Sequence, residues 1–131
     1  MLDRFARFST AGAVGTALHY SILLVLVETV RVSPVVATGC GAVVGASVNY
    51  ALNYRLTFQS TVKHSSALPR FALIAIAGTA LNTAVVYVLV LYGIHYLLSQ
   101  AAATMLVLVL GFFANQFWTF AETRNDDSTR A

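Results

Sequence analysis

The residues of this sequence that could do chemistry are amides and arginines. A run of small residues that includes Gly41 and Gly45 ends in Asn49, Asn53 and Arg55. The glycines and asparagines recur every four residues, which places them along one side of a helix. Amide side chains hydrogen-bond to hydroxyl groups, and a guanidinium group pairs with phosphate. This pattern therefore favours a ligand that carries both hydroxyls and a phosphate.

Further amides and arginines complete two groups of candidate binding residues. The candidates for the phosphate are Arg7, Arg55, Arg70, Asn53 and Asn115. The candidates for the hydroxyl-bearing part, along a polar seam between helices, are His19, Asn49, Asn82, Gln116 and Trp118. The amides could instead hydrogen-bond across helices and hold their packing. His19 could be a packed partner or a proton relay, and Trp118 could belong to an interfacial aromatic belt or form a platform for a ring or chain.

No catalytic, metal-binding or phosphate-loop constellation accompanies these residues, so neither an enzyme nor a metal or cofactor site is expected. The five acids lie outside the apolar runs or at their ends: Asp3, Glu28, Glu122, Asp126 and Asp127. A proton-coupled exporter usually keeps an acid within the membrane. The single cysteine, Cys40, cannot form an internal disulfide and is expected to be a small buried apolar side chain.

The elements that position these residues are membrane spans. Of the 131 residues, 58% are hydrophobic and 10% are charged, whereas soluble domains carry about 25% charged residues. A helix needs roughly 20 apolar residues to cross a bilayer. The long runs without charge predict an all-α integral membrane protein with the lipid bilayer as its solvent. Four transmembrane helices are predicted, near 8–30, 34–54, 71–92 and 97–120.

Local signals predict where these helices start and stop. Residues 1–7 resemble a short amphipathic lead-in to the first helix. Ser33 followed by proline is a helix-start signal. The polar stretch 56–69 predicts the one long loop, with the third helix beginning after Arg70. The break between the last two helices is predicted near Gly93.

The basic residues predict the orientation of the chain. Arg31 is the one Lys or Arg between the first two helices, and the other basic residues lie near the termini and in the middle loop. Because cytoplasmic loops hold the excess of Lys and Arg, both termini are predicted to be cytoplasmic. Because this distribution is the one expected for membrane orientation, the net charge of +3 does not indicate nucleic-acid binding.

The two halves of the sequence are related. Arg7-Phe8 recurs as Arg70-Phe71, and Asn53–Phe58 recurs as Asn115–Phe120. The prediction is one domain, 1–131, that contains two repeats, 7–58 and 70–120. Two helices per repeat return the chain to its starting side, so the repeats are parallel.

The recurring blocks resemble the GtrA-like family of small four-helix bacterial membrane proteins. The resemblance covers residues 4–120 and is most specific in Asn-Tyr-Arg-Leu-Thr-Phe, ending at Phe58, and in Asn-Gln-Phe-Trp-Thr-Phe, ending at Phe120. The family's tryptophan is present at Trp118, whereas the first copy has Leu56. The resemblance implies translocation of a polyprenyl-phosphate-linked monosaccharide to the outer leaflet of a bacterial inner membrane, for surface polysaccharides such as O-antigen.

In this interpretation Asn53, Arg55 and Asn115 lie near the phosphate-bearing headgroup. Four short helices enclose little volume, so a homodimer is expected. An alternative is a membrane anchor that assembles with a glycosyltransferase. A small multidrug exporter has the same size and helix count, but the missing intramembrane acid argues against it.

Overall fold

The fold is all-helical over residues 1–121, which are the residues that this computed structural model describes. The four helices are α1 (Leu2–Glu28), α2 (Pro34–Leu52), α3 (His64–Leu91) and α4 (Tyr96–Ala114). α2 and α4 each continue into a π-helical turn, called here the first π turn (Asn53–Thr57) and the second π turn (Asn115–Thr119). All four helices are long and apolar enough to cross a membrane. The chain is therefore a multi-pass membrane protein, as predicted.

The chain forms two compact units, Met1–Gln59 and a second that begins at Ser60. The first hairpin consists of α1, α2 and the first π turn. The second hairpin consists of α3, α4 and the second π turn. Each unit thus holds one of the two predicted repeats.

Two of the predicted helix boundaries are confirmed with their expected chemistry. The Ser33 hydroxyl oxygen accepts a hydrogen bond from the Val36 N–H at 3.5 Å, and Pro34 is the first residue of α2. Gly93 lies in the break between α3 and α4 with φ of 82°, a conformation that glycine adopts without strain. The nearby His95 side chain accepts from the Leu97 N–H at 3.3 Å and caps α4.

The prediction of a long loop over 56–69 is wrong. α3 begins at His64, one and a half turns before Arg70, and contains Pro69. Pro69 is the sixth residue of α3, so its missing N–H costs one helical hydrogen bond. Pro69 leaves just the carbonyl of Ser65 without its helical donor, and Ser65 is exposed. The sequence reading stopped the helix at a proline that the helix accommodates.

Three other expectations differ from the structure or fall beyond it. The lead-in 1–7 is not separate, because α1 runs unbroken from Leu2. Cys40 is exposed on α2 instead of buried. Arg124 and Arg130, which contribute to the predicted orientation, lie outside the described residues, as does the end of the predicted domain 1–131.

Glycines bring the two helices of the first hairpin into backbone contact. A methyl group at Gly15 would lie 2.7 Å from the Gly45 carbonyl oxygen, and one at Gly41 would lie 2.6 Å from the His19 carbonyl oxygen. Small residues permit this approach, and transmembrane helices associate through such packing since lipid is as apolar as leucine. In the second hairpin a side chain lies between the backbones instead: the Cγ1 methyl group of Val107 is 3.1 Å from where a Cβ on Gly78 would lie.

We expect Gly45→Ala to lower the free energy of unfolding of the first hairpin by about 1–3 kcal/mol, the usual cost of overpacking. The new methyl group would overlap the Gly15 carbonyl oxygen, which is backbone and cannot rotate away. Gly39→Ala, in the same helix, is the control because a Cβ there meets nothing within 4 Å. Unfolding in mixed micelles, followed by circular dichroism, measures both. Equal stability of the two variants would contradict the close approach.

Candidate functional site

The two π turns are built on the same pair of buried residue types. Each turn begins with an asparagine and ends with a threonine, and all four are buried: Asn53, Thr57, Asn115 and Thr119. In both turns the N–H of the following phenylalanine donates to the asparagine carbonyl five residues earlier, at 2.9 Å. π turns are rare and are frequent at functional sites. Because both π turns lie at the sequence block that recurs in the two halves, these two helix ends are candidate functional sites.

The asparagine side chains bond to their own helices. Asn53 Nδ2 donates to the Asn49 carbonyl at 3.0 Å and to Asn49 Oδ1 at 2.7 Å. Asn115 Nδ2 donates to the Gly111 carbonyl at 2.8 Å. Within residues 1–121, the Oδ1 atoms of Asn53 and Asn115 are buried and accept no hydrogen bond. The amides predicted for the headgroup thus hold the helix ends through their nitrogens.

Two of the predicted arginines bind carbonyls of the π turns. Arg7 Nη1 donates to the Leu56 carbonyl at 3.3 Å, and its Nε pairs with Asp3 at 3.1 Å. Arg70 Nη1 donates to the Trp118 carbonyl at 3.0 Å, and its guanidinium lies 5.8 Å from the centre of the Trp118 ring. A guanidinium has five N–H donors, so both arginines keep donors for an anion while they bind a carbonyl at the helix end.

The phenylalanines next to these arginines close the same helix ends. The Phe8 and Phe58 rings pack edge to face with centroids 6.2 Å apart, and those of Phe71 and Phe120 are 6.3 Å apart. Phe71 and Phe120 are buried, whereas Phe8 and Phe58 are half-buried. The Arg-Phe block of each first helix therefore contacts the Asn-to-Phe block of each second helix. The two recurring blocks within each repeat therefore contact one another.

Arg55 differs from the other two arginines. It lies in the first π turn and is exposed. Within residues 1–121 its guanidinium has no hydrogen bond or ion pair, and Arg7 binds the carbonyl of the next residue, Leu56. Of the three predicted arginines, Arg55 has the most donors available for a phosphate.

The first hairpin has a groove along its two helices, with a volume of about 200 Å³. Its lining is small and polar: Gly12, Gly15, Thr16, His19, Ala42, Gly45, Ala46 and Asn49. Pockets for drug-sized molecules measure about 300–1,000 Å³. The groove therefore suits a smaller group, of the size of a single sugar ring.

The structure places His19 and Asn49, two of the residues predicted for a polar seam, together in the lining of this groove. The His19 ring stacks on that of Tyr20, with centroids 5.5 Å apart. Asn49 Oδ1 accepts from Asn53 Nδ2, which links the groove to the first π turn. Arg55 follows Asn49 by six residues, about 9 Å along a helix. The predicted hydroxyl-binding and phosphate-binding groups therefore lie at successive depths of one hairpin.

The remaining predicted residues lie in the second hairpin. Asn82 Oδ1 accepts from Gln100 Nε2 at 3.2 Å, and the same nitrogen donates to Thr104 Oγ1 at 3.0 Å. Gln116 Oε1 is buried and accepts no hydrogen bond within residues 1–121. Sequence reasoning missed Gln100 and Thr104. Their four-residue spacing at the start of α4 was the available signal.

The model of a family described as "GtrA/DPMS, transmembrane domain" matches residues 7–120. The match includes both predicted repeats, and hence the groove and the two π turns. No curated protein matches the chain.

Proposed function

The chain belongs to the GtrA/DPMS transmembrane-domain family, and from this membership we propose that it moves a polyprenyl-phosphate-linked monosaccharide across a bacterial inner membrane. The sugar passes from the cytoplasmic to the outer leaflet, where it serves to modify a surface polysaccharide such as O-antigen. The family is linked to translocation of polyprenyl-phosphate sugars. The match over residues 7–120, on a chain with four helices able to span a membrane, is the observation that carries the proposal.

In this proposal the first hairpin binds the headgroup. The sugar ring lies in the groove, where His19, Asn49 and Thr16 can hydrogen-bond to hydroxyls. Arg55 and the unused donors of Arg7 bind the phosphate at the cytoplasmic end. The prenyl chain stays in lipid. The protein makes or breaks no bond, so it acts without a catalytic residue or cofactor.

The second hairpin has a different role in the proposed translocation. Arg70 lies over the Trp118 ring, and this pair offers an aromatic and cationic surface at the end of the second π turn. Asn115 and Gln116, in the same π turn, have buried oxygens that accept no hydrogen bond within residues 1–121. We assign these four residues to support of the headgroup end, with a homodimer as the working assembly.

A four-helix membrane protein of this size could also serve two other functions. A proton-coupled multidrug exporter needs an acid in the membrane, and the only acids within residues 1–121 are Asp3 and Glu28, near the two ends of α1. A membrane anchor for a glycosyltransferase uses the same helices without translocation. Capture of such an enzyme by the purified protein, with no lipid movement, would favour the anchor.

The proposal is tested with purified protein in vesicles that contain a polyprenyl-phosphate hexose in the inner leaflet. Membrane-impermeant periodate oxidises the sugars that reach the outer leaflet, and the oxidised fraction is followed with time. We expect faster exposure than in protein-free vesicles. Equal rates would overturn the translocation function.

Arg55→Ala should slow this translocation by about tenfold or more, because a hydrogen bond to a charged group contributes about 1.5–3 kcal/mol. Arg55→Lys keeps the charge but loses the two-pronged geometry, so its translocation rate should fall between those of Arg55→Ala and the wild type. Lys63→Ala is the control, since Lys63 is basic and exposed but lies outside both π turns. A similar loss in Lys63→Ala would indicate a general charge effect.

A further inference from the structure

The second hairpin has a polar cluster that the proposed function does not use. Gln100 Nε2 donates one hydrogen to Asn82 Oδ1 and the other to Thr104 Oγ1. Gln100 and Thr104 are exposed, and Asn82 is half-buried. Asn82 follows Arg70 by twelve residues, about 18 Å along α3. The cluster is therefore far from the arginine end of its hairpin.

This cluster has hydrogen-bonding groups left over. Within residues 1–121, both hydrogens of Asn82 Nδ2 and the Thr104 hydroxyl hydrogen are not donated, and Gln100 Oε1 accepts nothing. Polar groups in a membrane span that meet lipid are costly, so they normally face protein, water or a ligand. The unused groups call for a partner.

The balance of these groups indicates which partner. Beside the three unused hydrogens, Gln100 Oε1 accepts nothing, and Asn82 Oδ1 and Thr104 Oγ1 each keep a lone pair, so the cluster can both donate and accept. A neutral cluster also offers no charge to hold a phosphate. Hydroxyl oxygens of a sugar supply acceptors and donors on the same atom. We propose that Asn82, Gln100 and Thr104 form a second subsite for the hydroxyls of the lipid-linked sugar, an inference that rests on the proposed function.

The first hairpin lacks this subsite. When the two recurring blocks are aligned, Gln100 corresponds to Thr38 and Thr104 to Ala42, neither of which has an amide. Conversely, the groove of the first hairpin depends on Gly45, and its counterpart Val107 fills that space in the second. Each hairpin thus contacts the sugar with its own set of residues. The sugar meets the groove at one stage and the amide cluster at another.

The test compares Gln100→Leu with the wild type in the periodate assay. We expect a fall of about tenfold, from the loss of hydrogen bonds to the sugar. Thr104→Val is a second variant that removes one hydroxyl at constant volume, in case Gln100→Leu does not fold. Met105→Leu is the control, because Met105 is an exposed apolar neighbour on the same helix.

A binding measurement separates ligand contact from a structural effect. Native mass spectrometry gives the affinity for short-chain prenyl-phosphate hexose and for the same lipid without the sugar. The wild type should prefer the sugar-bearing lipid, and in Gln100→Leu that preference should shrink about tenfold while the sugar-free lipid binds unchanged. An equal loss for both lipids would overturn the subsite.

The possible failures are distinguishable. If the wild type translocates and Gln100→Leu does so at the rate of Met105→Leu, the subsite is wrong and the proposed function stands. If the wild type does not translocate the sugar lipid, both the subsite and the proposed function are wrong. If Gln100→Cys in a Cys40→Ala background forms disulfide-linked dimers in membranes and Ala102→Cys does not, the cluster joins two copies and the sugar subsite is overturned.

Discussion

Ala46→Leu should reduce translocation of the sugar lipid to the rate of protein-free vesicles. Ala46 lines the groove of the first hairpin, and a leucine there adds three carbons to a space of about 200 Å³. A sugar ring would then overlap the side chain. The helix contact at Gly15 and Gly45 stays unchanged, so the hairpin should keep its fold. The periodate assay measures the rate, and circular dichroism checks the helix content.

Ser47→Leu is the matched control for this substitution. Ser47 is the next residue of α2, is exposed and does not line the groove. Its hydroxyl donates only to the Val43 carbonyl of its own helix. The control should therefore translocate at the wild-type rate. Wild-type translocation by Ala46→Leu would remove the groove from the mechanism.

Phe120→Ala should lower the free energy of unfolding of the second hairpin by about 3 kcal/mol, in the range for a buried phenylalanine. Phe120 is 4% exposed and packs on Phe71, which is 7% exposed. The lost contact lies beside the Arg70 hydrogen bond to Trp118. The end of α4 should then separate from α3. Unfolding in mixed micelles, followed by Trp118 fluorescence, measures the change.

Phe58→Ala is the internal comparison, because Phe58 is the counterpart of Phe120 in the first repeat. It is half-buried, as is its partner Phe8. Less contact is lost, so the decrease should be about half as large. Equal decreases for the two variants would show that the helix ends are held by something other than the phenylalanine contacts.

The spans of this fold were predictable because a bilayer imposes a length and a composition. The capped start of α2 at Ser33 and the break at Gly93 follow from local backbone chemistry, and the structure has both. The start of α3 was missed because Pro69 was read as the end of a loop. A proline in the second turn of a helix removes one hydrogen bond, and whether the helix tolerates it depends on the exposure of Ser65.

Several residues that the sequence singled out line the groove or the π turns, but their contacts were not predictable. His19 and Asn49 meet in one groove because the glycines of α1 and α2 let the two backbones approach. The use of Arg7 and Arg70 to bind carbonyls of the π turns was not predicted. The last carbonyls of any helix lack helical donors, and which side chain binds them depends on the packing of each first helix against the end of its second helix, which hydropathy does not specify.

The sequence by itself determined that the chain crosses a membrane, that two blocks recur in its halves, and that its long apolar runs hold amides and no acids. These properties depend on composition and on spacing along single helices. Only the tertiary structure decided that Gly45 contacts the backbone at Gly15 where its counterpart Val107 packs its side chain against Gly78, and that Asn82 bonds to Gln100. Such differences arise from the distance between two backbones, which no single helix specifies.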